Sequence, residues 1–464
     1  MSTTTISVKD QKHTYTFNLE RMTIYKQSKI IEARDAEAQL FYLFFYKDSY
    51  INTVKAKELK PNSHAANAFE HGVTFQAPHP LIDATLAASG PYKKHRFNDL
   101  FPKLQKQHTL QETTLIATFF ESFIKKEQLM KFIKTLYNED RRSGKMYACY
   151  RIYRVAQAFA PTHSWVKSLA GELDFKKYAP LYEKLDASLF EKDPIYVEQF
   201  LYENRDTPER FNQLSTFLQQ QGRWIDDIAL SIDRFNKQQT NELYEAIHEK
   251  IKVHFESDEL IRLLEDLYER APNLEPLQQD ILDTYLKQDQ PERALKLIAT
   301  HHIELHPSQV KTFDHIVDHI DLESSSVSIE ELNTVIGSLF TSIPKQAETL
   351  LQKALRMLMK EHSISYIQQW LNPLRDVPEA QQTIAKVDQI QELEDDPNKQ
   401  LQLGELYYEF NQLNQAIECF SWEMELNEQN PKPVQWLSKL YNELGMNHEA
   451  KAYQQLYVDM VKNG

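Results

Sequence analysis

The sequence predicts an all-α chain, an α-solenoid of antiparallel helix pairs behind a small N-terminal region that contains a β-hairpin. Three observations predict it. Only 9 of the 464 residues are glycine, about 2% against a usual share of roughly 7%. Sheet-rich folds and phosphate-binding turns use glycine for positive φ and close backbone approach; helices joined by short turns need little of it. From His108 onward, apolar residues recur at helical spacing in one segment after another. Period-two alternation is clear in one stretch only, near the N-terminus.

Residues 4–19 (TTISVKDQKHTYTFNL) carry that alternation, with Thr, β-branched and aromatic residues around a polar KDQKH, and predict the hairpin. Sheet is expected in the first 30 residues alone. Residues 31–47 read as an apolar helix. From Lys60 to Pro102, five prolines (Pro61, Pro78, Pro80, Pro91, Pro102) with Gly72 and Gly90 predict a long irregular connection with short helices. Residues 115–137 and 145–159 read as helices broken at Gly144. Ser328 and Glu331 have capping-box spacing at the start of a helix over 328–340. Pro344 ends that helix and opens another, to about His362. The expected organisation is a mixed or irregular region over 1–105, a degenerate helical-repeat region over 106–390, and a C-terminal part over 391–464.

Composition bounds the class. Hydrophobic residues make up 41% and charged residues 26%, as in an ordinary folded protein. Cys149 and Cys419 sit in apolar helical patterns and are expected to be buried free thiols in a reducing compartment. The start MSTTTISVKDQKH has no apolar core behind a basic segment, so no secretory signal is expected. No apolar run approaches the length of a membrane span. A cytoplasmic protein is expected. Net charge is −14 and unevenly spread. Residues 1–154 hold 24 Lys and Arg against 15 Asp and Glu, a balance of +9; the remainder balances at −23. Such asymmetry points to a basic binding region or to two halves that attract each other.

A fixed period appears at the end of the chain. Leu403 matches Leu437, Leu406 matches Leu440, Tyr407 matches Tyr441, Glu409 matches Glu443, Phe410 matches Leu444 and Ala416 matches Ala450, every pair 34 residues apart. Leucine, tyrosine four on and alanine nine further resemble the tetratricopeptide repeat (TPR). The first copy also places Gly404 and Phe420 at motif positions; Glu423 stands where the family has alanine. In the second, Ser438 replaces the first glycine. A degenerate copy lies at Ile281, Tyr285, Ala294 and Ile298, and Ala294 to Ala416 is not a multiple of 34. The alanine is expected where the two helices approach most closely. The resemblance implies a groove for a partner peptide or helix, lined by Asn398, Leu401, Glu405, Tyr408, Gln435, Lys439 and Asn442. The family's carboxylate clamp needs Lys and Asn where Leu401 and Glu405 stand, so capture of a C-terminal carboxylate is disfavoured.

No catalytic motif appears. GxxxxGK[ST], GxGxxG and GxSxG are all missing. His315 and His319, four apart, share a helix face beside Asp314 and Asp318, but no third strong ligand can be placed, and a polar surface is expected. His301, His302 and His306 read as a turn. No cofactor, metal or catalytic residue is expected. A basic patch of Lys125, Lys126, Lys131, Lys134, Arg141 and Arg142 is followed by Lys145, Arg151 and Arg154, with Tyr137, Tyr147, Tyr150 and Tyr153 interleaved. Cations with stacking rings suit RNA or single-stranded DNA; a solvated face or an internal dock is the plainer reading. The sequence therefore predicts a non-catalytic scaffold, adaptor or assembly factor with a protein or peptide partner. The alternatives are a peptide-responsive regulatory receptor and a nucleic-acid-binding repeat protein using residues 121–154. Bacterial TPR regulators carry an N-terminal DNA-binding or three-helix effector domain, and residues 1–60 resemble neither. An enzyme built on residues 1–105 would have no recognised motif.

Overall fold

A computed structural model of the chain describes residues 5–11, 13–183, 185–301, 303, 305–316, 329–394 and 396–463. The chain is 67% helical, and it divides into two compact units, Met1–Ala271 and Pro272–Gly464. The division falls at 271/272.

The N-terminal unit opens with six antiparallel strands: β1 (Thr5–Asp10), β2 (His13–Tyr25), β3 (Ser28–Arg34), β4 (Leu40–Tyr46), β5 (Ser49–Lys55) and β6 (Val73–Gln76). The first five pair in sequence order, and β6 pairs with the second half of β2. The expected hairpin is β1–β2. The helix expected over 31–47 is instead the end of β3 and all of β4, and the sheet extends well past residue 30. The cause is burial on both sides, which removes the alternation a half-exposed strand would show. On one face Ile30, Phe44 and Tyr46 pack with Leu100, Leu104 and Phe120. On the other, Phe41 meets Phe17 with ring centroids 4.7 Å apart, and Phe45 meets Tyr92 at 6.4 Å.

The proline-rich stretch does carry short helices, His64–His71, Pro80–Ala87 and Phe97–Gln107. It is built into the sheet, however. Gly72 lies so close to β2 that a Cβ would sit 2.5 Å from Thr23 Oγ1 and 2.9 Å from the Ile24 carbonyl oxygen. Further on, Lys9 N–H donates to the Tyr92 carbonyl at 3.0 Å, and Lys94 N–H donates to that of Lys9 at 2.8 Å. Asn52 on β5 donates to the His95 carbonyl at 3.0 Å and accepts from His95 N–H at 2.8 Å. Segment 92–95 thus ties the β1 edge to β5, and the sheet is rolled.

Helix pairs follow in each unit, and one turn recurs in them. Lys126–Arg142 with Met146–Phe159, and Pro208–Gln220 with Trp224–Lys237, lie in the first unit. Glu275–Lys287 with Pro291–His301, Gln400–Glu409 with Leu413–Leu426, and Pro431–Glu443 with Asn447–Asn463 lie in the second. The linking residue is left-handed each time: Gly144, Gly222, Asp289, Asn411 and Gly445, with φ from 54° to 74°. The next N–H bonds a carbonyl five residues back, as in Gln412 to Tyr407 at 2.8 Å and Met446 to Tyr441 at 2.9 Å. Gly and Asn tolerate this conformation and so set the turn. Five residues after it, Cys149, Asp227, Ala294, Ala416 and Ala450 are all buried.

A buried ionic network joins sheet to helices within the first unit. The fully buried Lys29 ammonium on β3 bonds Asp226 and Asp48, each at 2.7 Å, and the Lys47 carbonyl at 3.0 Å. Asp226 is paired in turn with Arg223 at 2.9 Å, and Arg223 with Glu198 at 2.6 Å.

Candidate partner-binding site

The site is built on the last two helix pairs. Asn430 caps the helix Pro431–Glu443 by accepting from Lys432 N–H, and Pro431 supplies the preset φ of the first turn. Leu437 and Leu440 point inward and form a core cluster with Ala416 and Phe420. Ala416 and Ala450 are both buried, as the repeat predicted. Gly404 is needed because a Cβ there would come within 2.8 Å of the Phe420 ring. Ser438, at the equivalent position of the second pair, donates its hydroxyl to the Ala450 carbonyl at 3.0 Å and so ties the two helices together.

The opposite face is open and polar. A cleft of about 440 Å³ runs along Pro431–Glu443 and Asn447–Asn463. Gln435, Lys439 and Asn442 line it, as do Asn447, Lys451 and Gln454. Beside it, Lys439 Nζ lies 4.2 Å above the Tyr408 ring and 4.6 Å above that of Trp436. Tyr408 donates its hydroxyl to Glu443 at 2.8 Å. The other three groove residues lie elsewhere. Asn398, in the 3₁₀ turn Pro397–Lys399, and Glu405 are exposed outside the cleft, while Leu401 packs against the inner cluster. Asn447, Lys451 and Gln454 went unnoticed in the sequence because the family's groove is assigned to first helices and these sit on a second one.

The basic segment divides into two parts. Lys125, Lys131 and Lys134 are exposed. Lys126 Nζ lies 4.7 Å from the centre of the Phe159 ring, Arg141 pairs with Glu172 at 2.8 Å, and Arg142 Nε donates to the Asn138 carbonyl at 3.2 Å. The interleaved rings are turned inward: Tyr137, Tyr150 and Tyr153 are buried core residues, and Tyr147 shares a hydrogen bond with Tyr182 at 3.2 Å. Base stacking on these tyrosines would require opening the core.

Two other constellations were tested for chemistry. Ser28 and His64 form a pair at 2.7 Å, but the serine is fully buried and its hydroxyl also lies 2.9 Å from the Tyr25 carbonyl. The imidazole stacks on Phe119 at 4.1 Å, and its pKa is pushed down to about 3 by burial and then by Lys26. The pair serves packing, its serine buried and its imidazole stacked and half-buried. Burial pushes the free thiols up, to about 11 for Cys149 and about 12 for Cys419, which makes them poor nucleophiles. The side chains of Asp314 and His315, together with His302, Asp318 and His319, lie outside the described residues; among the described ones no group of ligands could hold a metal.

No protein-family model matches the chain, and no curated protein does. Among solved structures, a crystal structure of MamA aligns at 15% identity over 47% of this chain and 95% of that one, with a TM-score of 0.14. Naa15/Naa10 bound to HypK-THB aligns at 13% over 78% and 60%, with a TM-score of 0.21. The Chs5–Bch1 exomer cargo adaptor complex aligns at 11% over 96% and 74%, with a TM-score of 0.15. At scores this low the fold rests on the helix pairs themselves. No described helix is long and apolar enough to cross a membrane.

Proposed function

We propose that the chain is a non-catalytic, cytoplasmic scaffold or adaptor of the TPR kind that holds an extended, acidic segment of a protein partner. The observation that carries this is the composition of the C-terminal cleft. Its amide side chains (Gln435, Asn442, Asn447, Gln454) each offer a donor and an acceptor. That is the chemistry an extended peptide backbone needs. Lys439 and Lys451 add positive charge and favour acidic side chains. The exposed Lys125, Lys131 and Lys134 would raise the association rate with such a partner, an effect that salt removes. The nucleic-acid alternative is less well supported, since the tyrosines that would stack bases belong to the core.

The test is a binding titration with the partner recovered on the intact chain. Reversing Lys439 and Lys451 to glutamate should weaken binding about tenfold or more, on the scale of a lost pair of charge contacts. Reversing Lys131 and Lys134 should slow association and leave the dissociation rate nearly unchanged. Equal affinity of the cleft variant and the parent chain would exclude this site.

A further inference from the structure

The rolled sheet carries a second concavity that the repeat does not explain. It holds about 500 Å³, within the size range of small-molecule sites, and lies beside the segment that ties β1 to β5. Its walls come from four separated stretches: the β1–β2 turn, the end of β5, residues 94–97 and Phe123.

The charge on these walls is one-sided. Among the described residues, Lys55, Lys57, Lys94 and Arg96 line it, with a single carboxylate, Asp10. Asp10 is already paired with Lys94 at 2.7 Å. That leaves Lys55, Lys57 and Arg96 in excess, and all three are exposed. His13 and His95 lie beside them. Burial lowers the His95 pKa, and Lys103 and Lys93 lower it further while Asp99 opposes them, as expected in a positive field. The helix Phe97–Gln107 begins in the same wall, and no side chain caps its N-terminus. Its first N–H groups and dipole add to the field, partly offset by Asp99 in the first turn.

The walls are also aromatic. Tyr15, Phe97 and Phe123 line the concavity, and Tyr15 is 38% exposed. Phe97 and Phe123 are packed from behind by Phe120 and Phe44 and turn their remaining surface into the recess beside Tyr15. Cations and rings around one cavity fit a ligand that has both an anionic end and a flat end. Three unmatched positive charges suit a phosphomonoester, which carries nearly two negative charges at neutral pH, better than a single carboxylate. Arg96 supplies the planar fork that phosphate oxygens accept.

We propose that this mouth of the rolled sheet binds a small phosphorylated aromatic compound of mononucleotide size. The rings hold the flat part, and Lys55, Lys57 and Arg96 hold the phosphate.

The experiment is calorimetric titration of the intact chain with AMP, GMP, UMP and phosphotyrosine, alongside adenosine and inorganic phosphate. At least one phosphorylated ring compound should saturate the protein at millimolar concentration or below. Removing its phosphate, or its ring, should weaken binding about tenfold or more. The double variant Lys57→Glu/Arg96→Glu should lose about tenfold or more in affinity with an unchanged melting temperature, since both side chains are exposed. Lys167→Glu/Lys176→Glu, an equal change of net charge at two exposed positions away from the recess, should bind like the parent chain. No saturable binding by any phosphorylated compound overturns the proposal. So does equal binding of AMP and adenosine, or equal loss in both double variants. Tight binding of an oligonucleotide without any mononucleotide binding would assign the surface to a polymer and likewise overturn it.

Discussion

Replacing Lys29 with methionine tests how the sheet is held to the helices of the N-terminal unit. The ammonium donates three hydrogen bonds, to Asp226, Asp48 and the Lys47 carbonyl. Methionine fills the channel left by the alkyl stem and removes the charge. Asp48 is 35% exposed at its side chain and can turn to water, but Asp226 is buried. Burial pushes the Asp226 carboxyl up, and Arg223 and Lys29 together outweigh it, holding the pKa below the ordinary aspartate value. Without Lys29 its only charged partner among the described residues is Arg223, which Glu198 also claims. Breaking a buried pair from one side costs about 3–5 kcal/mol. Hydrogen exchange of β3 and of Trp224–Lys237 reads this directly. Their slowest amides should exchange roughly two to four orders of magnitude faster. Adding Asp226→Asn should recover part of the loss, because the stranded charge is gone. A less than tenfold change in the single variant, or strict additivity in the double, would refute the network's role.

Three further outcomes are expected. Ala416→Leu and Ala450→Leu should each cost about 1–3 kcal/mol by overpacking, read as a lowered urea midpoint; unchanged midpoints in both would show that the repeat register is misassigned. Gly404→Ala should also destabilise, and should cost less in a Phe420→Leu background than in the parent chain, because the added Cβ meets that ring; an equal cost in both backgrounds would mean the clash lies elsewhere. His64 is held neutral, its pKa moved from 6.5 to about 3. Its contribution is therefore full above pH 6.5 and is lost as pH falls toward 3, where the unfolded chain binds the extra proton, at up to about 1.4 kcal/mol per pH unit. Chemical denaturation across that window should show a shallower acid loss in His64→Gln, and parallel curves would contradict the assignment.

The helical part of the fold was legible because its signals are local. Gly144 breaks a helix pattern and does link two helices, and the alanines at 416 and 450 mark close helix approach. The strands were less legible. Residues 40–46 (LFYLFFY) are covered on both faces, so neither strand nor helix periodicity shows in them. The tie between β1 and β5 depends on backbone groups of Lys9, Tyr92 and Lys94 and on Asn52, none of which carries a pattern. Asp227 and Cys149 hold the position that alanine holds in the later pairs. That substitution hid two of the five turns from a search for the alanine motif. Of the residues lining the candidate cleft, Gln435, Lys439 and Asn442 are ones that the resemblance to the repeat family implies, while Asn447, Lys451 and Gln454 require knowing how the final helix folds back.

The proposed partner segment occupies the cleft between the last two helices. A photo-crosslinking residue placed at Asn442, inside the cleft, and separately at Glu418, exposed outside it, tests this on the intact chain. A discrete protein adduct that an acidic peptide competitor suppresses is expected from position 442, and none from position 418. Matching adducts from both positions, or no adduct from 442 where 418 gives one, would contradict it.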